Sequence, residues 1–145
     1  MIRRITADEV LPLRSRVLRN GLPPSACRFE TDRLSTTFHM GYFLADDTLV
    51  SVLSCQLESL EGYEGVGYRL RGMATDTDSR GKGYGSRLLQ HTIVYLSAEI
   101  QADYLWCNAR RAAYGFYRNL GFQILSDEFE IPGIGPHRVM SLGLA

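Results

Sequence analysis

Cysteine is scarce in this chain: three residues in 145, Cys27, Cys55 and Cys107, widely spaced and odd in number. That count excludes a disulfide framework, and the spacing makes no paired metal knuckle, which leaves small buried thiols in a reducing compartment. No ligand cluster appears and no metal is expected. Long apolar runs are missing too. No stretch reaches the roughly 20 residues that a membrane helix needs, and "MIRRITADEV" carries no apolar run fit for a secretory signal. The expectation is a soluble, cytoplasmic protein without a membrane partner. Net charge is also absent, with 16 Lys and Arg against 16 Asp and Glu. This argues against a dedicated nucleic-acid binder held by a broad basic face. Neither repeats nor low-complexity tracts occur, so the chain is no solenoid.

What is present is enough for one ordinary core: 45% hydrophobic and 22% charged residues, read as a single domain over residues 1–145. The charge is unevenly placed. Between residues 68 and 122 eight basic residues face four acidic ones, a local +4 inside a neutral protein. Such a centre suits a compact anionic ligand better than a long polyanion.

The pattern along the chain is mixed. A short strand at Ile2 to Ile5 precedes a helix with Asp8 as cap and Val10, Leu13, Val17 and Leu18 at helical spacing. "GLPPSACRFETD" breaks it. Two β-rich runs about Asp46 and Asp47 read as a hairpin, "LEGYEGVG" as a loop and "YRLRGMATD" as a strand. From Tyr84 to Ile100 the residues Leu88, Leu89, Ile93, Leu96 and Ile100 recur at steps of three and four, the stripe of a helix on a sheet. "ADYLWCNA" is a strand and "RRAAYGFYRNLGF" a short helix stopped by Gly121. "FQILSDEFEI" and "HRVMSLGL" form a final strand pair around "PGIGP".

The stretch "DSRGKGYGSRLL" concentrates glycine and positive charge at the start of the long helix. Backbone N–H groups there have no helical partners, glycine removes the Cβ that would block a ligand, and the helix dipole adds partial positive charge. This makes a pyrophosphate cradle, with Arg80 and Lys82 able to donate charge-assisted hydrogen bonds. The spacing fits neither the nucleoside-triphosphate loop nor the dinucleotide fingerprint, since Gly81, Gly83 and Gly85 are two and two apart.

Arg80, Gly83 and Gly85, as Arg-x-x-Gly-x-Gly between a strand and an amphipathic helix, resemble the acyl-CoA signature of the GNAT superfamily of N-acyltransferases. "YLWCNARRAAYGFYRNLGF" resembles that superfamily's second signature, with Phe116, Tyr117, Gly121 and Phe122. The resemblance covers about residues 68 to 125. It implies an α/β (α+β) GNAT fold: a mixed central sheet of about six to seven strands, about four flanking helices, and a splayed parallel strand pair forming the acyl-CoA cleft. It further implies an acetyltransferase that moves the acetyl group of acetyl-CoA, its cosubstrate, onto a primary amine by direct attack.

By the same resemblance, Arg80, Gly81, Lys82, Gly83, Tyr84, Gly85 and Ser86 hold the pyrophosphate. Main-chain groups of Met73, Ala74 and Thr75 pair with the pantetheine, and the N–H near Met73 is the oxyanion donor. Tyr117 hydrogen-bonds the departing thiolate. Many members carry an Asn seven residues before this tyrosine; here that position is Arg110, and Asn108 takes the role instead. The base that takes the amine's proton stays open among Glu58, Glu61, Glu64, His39 and His137. Arg87, Arg110, Arg111 and Arg118 read as a solvated face. "LRSRVLRNGLPPSACRFETD" and "DEFEIPGIGPHRV" are the acceptor walls, and Asp127, Glu128 and Glu130 would steer a cationic amine, or merely solubilise. The acceptor is unidentified, and the assembly is a monomer or a homodimer. The alternatives are a non-catalytic acyl-CoA-binding sensor and, less in keeping with zero net charge, a nucleic-acid module.

Overall fold

A computed structural model describes residues 1–144. Strands β1 (Ile2–Ile5), β2 (Phe38–Phe43), β3 (Leu49–Leu57), β4 (Gly67–Thr75), β5 (Tyr104–Arg110), β6 (Gln123–Ile124), β7 (Phe129–Ile131) and β8 (Gly135–Gly143) build one mixed sheet. Its order is β1-β2-β3-β4-β5-β8-β6, with β7 also on β8, and every pairing but β4 with β5 is antiparallel. The sheet has eight strands because the chain after Gly121 gives two short strands and a long one rather than a pair. The hydroxyl of Ser126 accepts the Val139 N–H at 2.9 Å, where the chain breaks between β6 and β7.

One face carries α2 (Tyr84–Tyr95, continuing in wider turns over Leu96–Ile100) and α3 (Tyr114–Asn119). The stripe foreseen from the sequence does the packing: Leu88, Leu89 and Leu96 are buried against Leu53, Leu70, Leu105 and Met140. The opposite face carries the N-terminal segment. Here the helix is shorter than its periodicity suggested: α1 (Leu11–Leu13) has Pro12 in its first turn and passes at once into wide turns over Arg14–Leu18. Asp8 is not its cap. A reciprocal pair, Thr6 Oγ1 with the Glu9 N–H at 3.2 Å and Glu9 Oε1 with the Thr6 N–H at 2.9 Å, closes the preceding turn, and Asp8 turns outward to Arg28 and Arg33. With α1, α2 and α3 the helices number three among the described residues, the remainder being short turns.

Two irregularities of β4 position the site. Its parallel pairing with β5 runs only from Gly67 to Arg69, against Tyr104 to Trp106, after which the two strands part. On its other edge Val52 faces Ala74 but Ser54 faces Arg71, so Gly72 and Met73 oppose Leu53 alone. That is a β-bulge, which leaves a residue unpaired. Gly72 has φ +60°, and a Cβ there would lie 2.7 Å from the Arg14 Nε. Nothing but glycine fits that turn without moving a buried side chain.

Among the described residues no helix is long and apolar enough to cross a membrane.

Candidate active site

Where β4 and β5 part, a cleft of about 390 Å³ opens through the sheet. Met73, Asn108 and Tyr117 line it together, as do Leu70, Cys107 and Ala113. Three of the residues expected at the site are therefore brought to one place. Strand alternation sorts them: Cys107 packs with Tyr117 in the core under α2 and α3, whereas Asn108 shares the opposite face with Trp106 and Arg110.

Tyr117 is buried in the core. Burial, with the Cys107 thiol beside it, pushes the phenol well above its ordinary pKa. Burial likewise pushes the Cys107 thiol up to about 12. Both groups are held neutral, so Tyr117 is a hydrogen-bond donor and not a ready source of protons.

The remaining predicted residues surround the start of α2, beyond the cleft. Arg80, Gly81, Lys82 and Gly83 are exposed, and Tyr84, Gly85 and Ser86 are half-buried. Gly81 and Gly83 both lie at positive φ, +79° and +81°. Around Gly83 an added Cβ would meet only Arg87, at 3.7 Å, so the loop is an open cradle. Gly85 serves a different purpose: its Cβ would stand 3.0 Å from the Thr75 Oγ1, so glycine brings α2 against β4. Thr75 itself is bonded to the Ser51 hydroxyl at 2.9 Å, and the Ala74 side chain is buried in the opposite core. Both leave only their main chain for a ligand.

Arg87 is exposed, as expected, but it also has a structural role. Its guanidinium donates to the Lys82 carbonyl at 2.7 Å and lies over Tyr84 and Tyr42, whose rings are 4.8 Å apart. It holds the glycine loop in shape. The loop's Gly83 N-cap has no side-chain oxygen to bond the helix N–H groups, so they remain available. Arg110 also differs from a plain surface residue, because it lines the cleft.

The side of the cleft facing the N-terminal segment holds a network that sequence reasoning missed. Arg14, almost wholly buried, donates to both oxygens of Asp32 at 2.7 and 2.9 Å, to the Ser54 hydroxyl at 2.8 Å and to the Cys27 carbonyl at 3.0 Å. Burial raises the Asp32 pKa, but Arg14 and the Phe29 N–H outweigh it and hold the carboxyl below the usual range. The signal was an arginine inside an apolar periodic segment, on the face occupied by Val10, Leu13, Val17 and Leu18. Phe29 is sandwiched between the Arg14 guanidinium at 3.8 Å and that of Arg71 at 3.9 Å.

The proton-acceptor candidates now separate. His39 is buried in this network: its Nε2–H donates to the Asp32 carbonyl at 3.0 Å, so Nδ1 accepts from the Ser54 hydroxyl at 2.6 Å. Burial keeps its pKa down, so it stays neutral, and it does not line the cleft. Glu61 and Glu64 are exposed on the loop before β4. Glu58 is occupied by Gln56 at 2.6 Å and Arg69 at 3.5 Å. His137 does line the cleft. Its Nδ1–H donates to the Gly135 carbonyl at 2.7 Å and its ring stacks on Phe129, which leaves the Nε2 lone pair as the basic site.

Of the acidic wall, none lines the cleft. Glu128 is turned outward onto Arg111 and Tyr114, and the Arg111 bond lowers its carboxyl to about 2. Ile131, Ile134 and His137 form the wall instead.

Comparisons with known proteins agree with this geometry. A sequence profile of the acetyltransferase (GNAT) domain matches residues 39–124. An uncharacterized N-acetyltransferase of Bacillus subtilis (strain 168), YitI, is 38% identical over 140 residues, covering 96% of this chain and 93% of that protein. Among solved structures, an aminoglycoside 6'-N-acetyltransferase complexed with coenzyme A superposes with a TM-score of 0.78 at 14% identity, over 100% of this chain and 97% of that one. Escherichia coli ElaA superposes with 0.77 at 19% identity, over 97% of each chain. A splayed parallel pair, a bulge on one of its strands, an open glycine cradle at a helix start and a match over more than half the chain make this protein a member of the GNAT family, an acyl-CoA-dependent N-acetyltransferase.

Proposed function

We propose that the cleft transfers the acetyl group of acetyl-CoA directly to a primary amine, with the two substrates entering from opposite faces of the sheet. The observation that carries this reading is the parting of β4 from β5 after Arg69 and Trp106, which opens a passage between the cradle side and the Arg14 side. The cradle from Arg80 to Ser86 takes the pyrophosphate. Gly81 and Gly83 leave room at the backbone, and Arg80 and Lys82 stand exposed beside it. The unpaired edge of β4 from Met73 to Thr75 takes the pantetheine amides. The bulge at Gly72 and Met73 supplies a main-chain N–H for the oxygen that gains charge as the amine adds to the thioester. Asn108 orients the pantetheine from the β5 side.

Two side chains move or hold protons. His137 Nε2 takes the proton of the attacking amine, since its other nitrogen is fixed by the Gly135 carbonyl. Tyr117 donates a hydrogen bond to the sulfur as the C–S bond breaks. Its raised pKa makes full transfer to a thiolate uphill, so the phenol stabilises the leaving group without giving up its proton. The three free, buried cysteines accord with a reducing cytosolic setting.

The direct test is acetyl-CoA binding by calorimetry, followed on the same sample by thiol release with amine acceptors. Binding with release is expected. Binding without release from any amine would favour a sensor, and no binding would overturn the reading. His137→Gln is expected to lower kcat/KM about 100-fold at neutral pH. The loss should shrink as pH approaches about 10, where a lysine-like amine sheds its own proton. A variant with the wild-type pH profile would remove His137 from the reaction. Tyr117→Phe is expected to lower kcat about 100-fold while acetyl-CoA affinity stays within twofold. Equal losses in both would make Tyr117 a packing residue only.

A further inference from the structure

The acceptor side of the cleft is lined by cations, Arg14, Arg19, Arg69, Arg71 and Arg110, and among the described residues by no carboxylate. Two of these are matched: Arg14 by Asp32, and Arg69 by Glu58 at 3.5 Å. For Arg19, Arg71 and Arg110 no described carboxylate lies within 4.0 Å.

Arg71 is the most telling. It is half-buried on β4, one residue before the bulge, and its guanidinium lies over the Phe29 ring at 3.9 Å. Of its five N–H donors one is used, and weakly: NH1 reaches the Gln56 Oε1 at 3.4 Å, an oxygen that already accepts from Thr31 at 2.6 Å. Burial, then the neighbouring Arg69 and Arg14 charges, lower its hold on its proton. Glu58 and Asp32 offset those charges in part, yet neither reaches the guanidinium, so this half-buried cation is left with free donors for an anion. The planar fork rests on Phe29 beside the bulge at Gly72 and Met73, and its free N–H groups can receive an oxyanion through two parallel bonds. The phosphates of the cosubstrate are not that anion on this reading, because the cradle of Arg80 to Ser86 lies beyond the cleft.

We infer that the acceptor is a small amine bearing a compact oxyanion, a carboxylate or a phosphate, which Arg71 binds as a fork while Arg69, Arg19 and Arg110 supply field. The inference rests on the acetyl-transfer reading and narrows it. It also reverses the expectation of a cationic acceptor, because the acidic residues that suggested one face outward.

The test compares amines that differ only in the anion: phenylalanine with 2-phenylethylamine, lysine with 1,5-diaminopentane, and O-phosphoethanolamine with ethanolamine. Thiol release is measured for wild type, Arg71→Gln and Arg71→Lys. A kcat/KM about 100-fold higher for the anionic member of at least one pair is expected. Whether the preferred pair is a carboxylated or the phosphorylated one names the oxyanion. Arg71→Gln should bring that preference below about threefold by raising the acceptor KM, with the acetyl-CoA KM unchanged, and Arg71→Lys should fall between.

Binding is read independently through Trp106, the chain's single tryptophan, whose ring lies 5.1 Å from the Arg69 guanidinium. Phenylalanine contributes little at its excitation wavelength, and O-phosphoethanolamine none. Either should perturb Trp106 fluorescence in the CoA complex of wild type, and neither in that of Arg71→Gln. Preference for the amines without the anion, equal losses on every acceptor in Arg71→Gln, or no Arg71-dependent fluorescence change would each overturn the inference. Failure to bind acetyl-CoA would instead overturn the underlying reading, and the inference with it.

Discussion

Replacing Asp32 by alanine is expected to lower stability by about 3–5 kcal/mol, a fall in Tm of about 10–20 °C for a chain of this size. The cost arises in Arg14, not in Asp32. With the carboxylate gone, a guanidinium that is 1% exposed keeps only a hydroxyl and a carbonyl as partners. Replacing both members, as Arg14→Met with Asp32→Leu, should recover most of that loss, because an apolar pair of similar volume carries no charge to desolvate. Thermal unfolding of the two variants beside wild type separates these cases, and equal Tm for Asp32→Ala and wild type would mean that water reaches Arg14. There is a functional corollary. Arg14 backs Phe29, and Phe29 backs Arg71, so loosening Arg14 should raise the acceptor KM while leaving acetyl-CoA affinity unchanged. One ion pair thus links the folding of the N-terminal segment to the shape of the acceptor wall.

The second large effect is expected at Gly83. Gly83→Asp should weaken acetyl-CoA binding about 100-fold or more, through backbone strain, a carboxylate placed where the phosphates dock, and loss of Arg87 from its stack. Gly83 sits at φ +81°, and its Cβ position is 3.7 Å from the Arg87 guanidinium, close enough for a new carboxylate to draw Arg87 away from Lys82 and Tyr84. Gly83→Ala carries the φ strain alone, about 1–2 kcal/mol, and sets the baseline. Calorimetry with acetyl-CoA distinguishes them. Equal affinities for the two variants would show that charge at this position is irrelevant and that the loop is only a tight turn.

The sequence by itself determined the parts of this protein that depend on local order. The run from Arg80 to Ser86 is contiguous, so its cradle was legible from glycine spacing, and the stripe of Leu88, Leu89 and Leu96 was legible because helical periodicity is local. Tyr117 was placed by the resemblance of its segment to the family's second signature, a strand followed by a short helix. The splayed pair followed from the resemblance that these motifs carried.

Tertiary structure alone decided the acceptor side. The bulge at Gly72 and Met73 is a register shift between two strands, which no pattern within β4 announces. Arg14 reaches residues 18 and 40 positions away, and Arg71 lies beside Phe29, so the polar core and the cationic wall exist only once the chain has folded. The acidic residues misled for the same reason: Asp127, Glu128 and Glu130 are near the cleft in sequence, but Arg111 turns Glu128 away from it. His137 was one of five candidate bases by composition. The Gly135 carbonyl, by fixing one of its nitrogens, and the parting of β4 from β5, by opening the space it lines, are what set it apart. A side chain's chemistry belongs to the sequence, but which side chains share a cavity, and which charges are left without a partner, is settled by packing.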